Sequence, residues 1–139
     1  MFFALCNTFI LGSIAAIHFY WLVGGKWGIA NALPASPKGQ LVLKPRMLET
    51  LTVALGLTFM AFLHLAQTEI VMVNLPDWIN NYGLKAIAAI FLIRAIGEFR
   101  YVGFFKKIKN TKFAQLDTWF YSPLCVLLSL NSLITSLQA

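Results

Sequence analysis

The chain reads as an all-α integral membrane protein, a four-helix bundle of antiparallel transmembrane helices, and three observations predict it. Its 139 residues are 59% hydrophobic and only 12% charged, which is more apolar than a soluble domain of this length could hide in one core. Four segments, about 1–23, 48–73, 83–105 and 118–137, match the roughly 20 helical residues that a hydrocarbon layer of about 30 Å demands. The basic residues alternate along the chain: Lys26, Lys38, Lys44 and Arg46 lie in the first connection and Arg100, Lys106, Lys107, Lys109 and Lys112 at or in the third, while the second holds Asp77 with Lys85 at its edge. Two basic connections on one side and a nearly neutral one on the other satisfy the positive-inside rule. That arrangement places the basic loops in the cytoplasm, both termini outside, and the protein in a bacterial inner membrane. It also assigns the net charge of +6 to membrane orientation, not to nucleic acid.

The first span opens at Met1 without a Lys/Arg-bearing leader, and no A-x-A-like site closes it, so it is expected to be a retained helix. It stops at Gly24-Gly25. Pro34, Pro37 and Pro45 bar a continuous helix through the long connection that follows, and its Lys26–Leu33 portion is apolar enough to lie at the interface or fold back as a lid. The second connection, Asn74 to Gly83, reads as a helix-hairpin loop with Trp78 and Tyr82 at the outer interface. The last helix is expected to open on Asp117 as N-cap and to bend at Pro123. Almost nothing remains for a soluble part, so residues 1–139 read as a single transmembrane domain. Cys6 and Cys125 fall at different depths and read as packing residues.

Spaced at 100° per residue, each span has one face that carries its polar groups, lined by Asn7, Leu11, Ile14, His18 and Trp21 on the first; Glu49, Gly56, Met60 and Gln67 on the second, with His64 displaced by about 60°; Ile87, Ile90, Arg94, Glu98 and Tyr101 on the third; Asp117, Tyr121, Leu124, Leu128 and Asn131 on the fourth. Lipid cannot satisfy such groups, so the four faces should turn inward. Arg94 and Glu98, one helical turn apart, are the most informative pair, because an Arg at a helix centre in the bilayer costs about 2.5–3.5 kcal/mol. An Arg-then-Glu i,i+4 pair is the weaker orientation, so further partners are expected from Glu49, Asp117 and Tyr121.

Three motifs then resemble a known family. His18-x-x-Trp21-x-x-Gly24-Gly25-x-Trp27, the run Arg94-Ala-Ile-Gly97-Glu98-Phe-Arg100-Tyr101-Val-Gly103-Phe-Phe-Lys106, and Thr111-x-Phe113-Ala-x-Leu-Asp117-x-x-x-Tyr121-Ser-Pro123-Leu-Cys125 are together similar to the small bacterial membrane proteins catalogued as domain of unknown function 3995. The resemblance implies a four-span integral membrane protein over nearly the whole chain and brings no activity with it.

The residues support three functional readings. In the first, Arg94, Arg100 and Arg46 hold a small polar or anionic ligand, such as a carboxylate, phosphate or lipid headgroup, Glu98 responds to protons, and His18, Trp21, Glu49, Asp117 and Tyr121 position them. For carriage across the bilayer, a bundle of this size would have to form a homodimer to build a pathway. The second reading is a membrane-embedded enzyme acting on a lipid-like substrate, with His18 or Glu98 as base. The third is a non-catalytic subunit or assembly factor whose polar network only fixes the bundle. No pattern names a cofactor. His18 and His64 fall too far apart in depth to ligate one haem, and neither a Glu-x-x-His nor an HExxH motif offers a metal site.

Overall fold

A computed structural model describes residues 1–34, 36, 38, 46–97, 99 and 101–138. Helix α1 (Phe2–Leu22) is followed by one short turn of helix, α2 (Ile29–Ala32), and then by α3 (Met47–Leu65) and α4 (Asp77–Ile96). The last span is continuous but not uniform: α5 (Lys112–Leu116), a π-helical turn (Asp117–Tyr121) and α6 (Ser122–Gln138). Four helices are long and apolar enough to cross a membrane, and no strand occurs among the described residues. Within the first three spans only 22%, 22% and 28% of the most apolar stretch is enclosed by protein, so most of that surface is left for lipid to cover.

Packing divides the bundle into two pairs. α1 lies along α3, α4 lies along α6, and α1 against α6 joins the pairs, whereas α3 and α4 hardly touch. Small side chains allow the close approach: Ala4, Ala15, Ala54, Ala61, Ala88 and Ala95 are all buried. Leu11, Leu63, Leu84, Ile87, Phe91 and Leu128 fill the space between them. Ser129 on α6 donates to the Ala88 carbonyl of α4 at 2.7 Å, satisfying in the interior a hydroxyl that lipid could not.

Several boundaries differ from the sequence expectation, each for a local reason. α3 ends at Leu65 instead of near Val73, because the Thr68 hydroxyl bonds the Leu65 carbonyl at 2.6 Å and the backbone tightens into i,i+3 bonds at Gln67 and Thr68. α4 starts earlier than Gly83, at Asp77, where Pro76 offers its carbonyl to the amides of Ile79 and Asn80. It also stops earlier, at Ile96 instead of Phe105. Gly97 (φ +85°) and Gly103 (φ +88°) turn the chain back on itself, and the Phe104 amide reaches the Ala95 carbonyl at 2.8 Å. A Cβ on Gly97 would lie 1.8 Å from the Val102 carbonyl oxygen and one on Gly103 2.4 Å from that of Ile96, so both positions require glycine for sign of φ and for space. The last span begins not at Asp117 but at Thr111, whose hydroxyl accepts the Ala114 amide at 3.0 Å.

The inward faces are rotated from those expected on two helices. α3 turns Ala54, Ala61, Leu63 and His64 inward, so the displaced histidine is the residue that faces the core. α4 buries Leu84, Ile87, Ala88, Phe91 and Ala95, with Ile90 exposed and Arg94 at the edge of the buried face.

Candidate functional site

Among the described residues, two polar centres lie in the interior, at opposite ends of the bundle. The one at the α4 C-terminus is charged and is built around Asp117, whose side chain is wholly buried. Pro123 explains how Asp117 is positioned. A proline has no N–H and its ring crowds the carbonyl four residues back, a conflict that the wider π turn relieves. Because the π turn bonds the Ser122 amide to the Asp117 carbonyl, it also stacks residue i+5 above residue i. Ser122 Oγ accordingly donates to Asp117 Oδ1 at 3.1 Å.

Three other groups converge on the same carboxylate. Arg94 Nη2 lies 2.9 Å from Oδ1, the Gly103 amide donates to Oδ2 at 2.6 Å, and Lys106 Nζ stands 3.2 Å from Oδ2. Two donors per oxygen saturate the carboxylate. Lys106 is saturated as well, since its ammonium also donates to the Gly103 carbonyl at 2.9 Å and to the Thr118 hydroxyl. The backbone reversal at Gly97 and Gly103 is what carries both Gly103 and Lys106 back to the end of α4.

Arg94 is the group left incomplete. Its side chain is 32% exposed, whereas those of Asp117 and Lys106 are at 0%, and its Nη1 is buried without a hydrogen-bond partner. Two cations against one carboxylate leave the cluster with one positive charge in surplus among the described residues. No group of three His, Cys, Asp or Glu side chains able to hold a metal occurs among them.

The other residues singled out in the sequence are dispersed. Glu49 is exposed and accepts the Arg46 amide at 2.9 Å, so it caps α3 and takes no part in the Asp117 cluster; Arg46 is the exposed N-cap residue of the same helix. His18 donates within its own helix, from Nδ1 to the Ile14 carbonyl at 2.8 Å, and meets the Trp21 ring edge-on. Trp21 Nε1 bonds the Trp27 carbonyl at 2.8 Å, and Tyr121 Oη donates to the Asn31 carbonyl at 3.1 Å. These two bonds draw the first connection across the end of the bundle, with α2 against α5. Glu98 and Arg100 lie outside the described residues. The expected Arg94–Glu98 pair therefore lies outside the described residues, and among those described the ion-pair partner of Arg94 is Asp117.

Sequence reasoning missed Lys106, Gly103, Thr118 and Ser122. By sequence Lys106 belongs to the basic third connection, yet it is 2% exposed while Lys107 beside it is exposed. The signal available was the pair of glycines six residues apart, Gly97 and Gly103, with Lys106 three residues beyond the second.

The second centre is uncharged. Asn7 Nδ2 lies 3.1 Å from His64 Nε2, 3.0 Å from the Leu128 carbonyl and 3.0 Å from Ser132 Oγ, while Asn131 Nδ2 donates to Asn7 Oδ1 at 3.0 Å. His64 Nδ1 donates to the Met60 carbonyl at 2.8 Å, leaving Nε2 as the acceptor for Asn7 or for Ser132 at 2.9 Å. Asn7, His64 and Ser132 are all completely buried, and this knot ties α1, α3 and α6 together.

Fold and site together define a small multi-pass integral membrane protein, an antiparallel four-helix bundle with one charged and one neutral buried network. A family model described as protein of unknown function (DUF3995) matches residues 11–131, and the chain belongs to that family. No curated protein and no solved structure matches it.

Proposed function

We propose that the protein binds a small anion at Arg94, with a phosphate or carboxylate as the recognised group, and that Asp117 and Lys106 form the scaffold that holds the guanidinium in place. The observation that carries this reading is the uneven satisfaction of the cluster. Asp117 and Lys106 complete each other, but Arg94 retains an unused donor and, among the described residues, the surplus charge. A guanidinium uses its second nitrogen most effectively in a forked bond to an oxyanion. Arg94 sits in the last turn of α4, beside the basic third connection, which the positive-inside rule turns toward the cytoplasm. An anion would therefore approach from that side or from the adjacent leaflet.

Thermal unfolding of the detergent-solubilised protein tests the reading, with inorganic phosphate, succinate and dihexanoyl phosphatidylglycerol titrated against chloride at matched ionic strength. Saturable stabilisation by one of the oxyanions is expected, and it should disappear in Arg94→Gln and weaken in Arg94→Lys, which keeps the charge but loses the fork. Phosphate acting alone would indicate a soluble ligand, and phosphatidylglycerol acting alone a lipid headgroup. A purely structural role is the competing reading, favoured by the saturation of Asp117 and Lys106. It predicts no oxyanion effect beyond that of chloride.

A further inference from the structure

The turn that delivers Lys106 inward presents its neighbours outward. Phe104 and Phe105 are 40% and 63% exposed, Lys107, Lys109 and Lys112 follow them exposed, and Trp119, next to the Thr118 that Lys106 reaches, is 83% exposed. The sequence from Phe99 to Leu116 contains no Asp or Glu, and none of these three lysines is paired with a carboxylate among the described residues. The Phe104–Lys112 turn lies between the end of α4 and the start of the last span, the depth of the lipid headgroups, and Trp119 stands in the π turn just inside that span. Aromatic rings there enter the boundary between acyl chains and water, and the lysine ammoniums extend to the phosphates.

We infer that the Phe104–Lys112 turn is a docking surface for anionic glycerophospholipid headgroups, one that gathers such lipids around the end of the bundle. Charge complementarity identifies the occupant. Three cations without a carboxylate partner among the described residues, next to apolar anchors, fit a negatively charged leaflet, since each basic residue near such a surface multiplies local affinity roughly five-fold. The surface does not include Arg94, so it stands or falls separately from the anion site proposed above.

Quenching of Trp119 by brominated lipids reads the local composition directly. The protein is reconstituted with Trp119 as its one tryptophan (Trp21→Phe, Trp27→Phe, Trp78→Phe) in phosphatidylcholine vesicles containing brominated phosphatidylglycerol or brominated phosphatidylcholine. At low salt the anionic lipid should be enriched roughly three-fold or more at Trp119. The enrichment should fall to near unity in Lys107→Gln/Lys109→Gln/Lys112→Gln, and likewise at high salt, where screening shortens the Debye length to about 3 Å at 1 M. Because Trp21 also anchors the first connection, the difference between parent and triple variant is measured again with all four tryptophans in place. Equal quenching by the two lipids at low salt overturns the inference. So does an enrichment that survives the lysine changes but vanishes in Arg94→Gln, a result that would leave the Arg94 reading intact.

Discussion

Ser122 and Asp117, five residues apart, are hydrogen-bonded side chain to side chain at 3.1 Å. A regular α-helix would set them about 140° apart around the axis, so the contact depends on the π turn that Pro123 favours. The helical irregularity is thus the means by which a carboxylate is aimed at the end of α4.

Asp117→Asn removes the charge that compensates Lys106, an ammonium with no exposure, and should destabilise the bundle by about 3–5 kcal/mol. Lys106→Met should cost less, because a carboxylate with three remaining donors is retained. Reversible unfolding in mixed micelles measures both, and a smaller effect for Asp117→Asn would contradict the arrangement.

The glycine pair gives a second contrast. Gly97→Ala and Gly103→Ala each place a methyl group against backbone at positive φ, and both should disrupt the turn and separate the Gly103 amide from Asp117. Gly12→Ala in α1 meets nothing within 4 Å and should be neutral or slightly stabilising. Expression level and thermal stability in detergent distinguish the two classes.

The neutral network should behave as a knot, not as a collection of independent bonds. Asn7→Leu leaves Asn131 Nδ2 without its acceptor and removes one of the two donors at His64 Nε2, for an expected loss of about 1–3 kcal/mol. Combined with Ser132→Ala the loss should be less than additive, since both remove partners of the same imidazole nitrogen. A double-mutant cycle with full additivity would show that the contacts are independent.

Tyr121→Phe removes the hydroxyl that reaches the Asn31 carbonyl while keeping the ring against Phe113. Amide exchange at Asn31 and Ala32, whose N–H groups bond the Gly28 carbonyl, should accelerate several-fold with global stability nearly unchanged. Unchanged exchange would mean that packing, not this bond, secures α2.

Composition and hydropathy made the class of fold legible, because four apolar runs of membrane length separated by alternating charge admit few other arrangements. Asp117 and Arg94 were legible as partners for the same reason: each is a charge that lipid would not tolerate alone. The helix ends were not legible. Residues 83–105 are apolar on both sides of Gly97 despite Lys85, Arg94, Glu98 and Arg100, so hydropathy alone does not place a break there, where the reversal depends on positive φ and on backbone contact with Gly103. Lys106 was hidden for a related reason, since its burial follows from that reversal and not from any local pattern. On α3, periodicity favoured the stripe through Glu49, but Asn7 and Ser132 on other helices make His64 the inward residue.

The most direct measurement of the central claim is side-chain 15N NMR of the arginines in detergent micelles, with each guanidinium signal assigned by single substitution; the chain has three, at positions 46, 94 and 100. On titration with phosphate or dihexanoyl phosphatidylglycerol, the Arg94 signal should shift saturably while that of the exposed Arg46 hardly moves. An Arg94 signal that stays fixed, or that moves only in parallel with Arg46 as salt is added, would contradict the account.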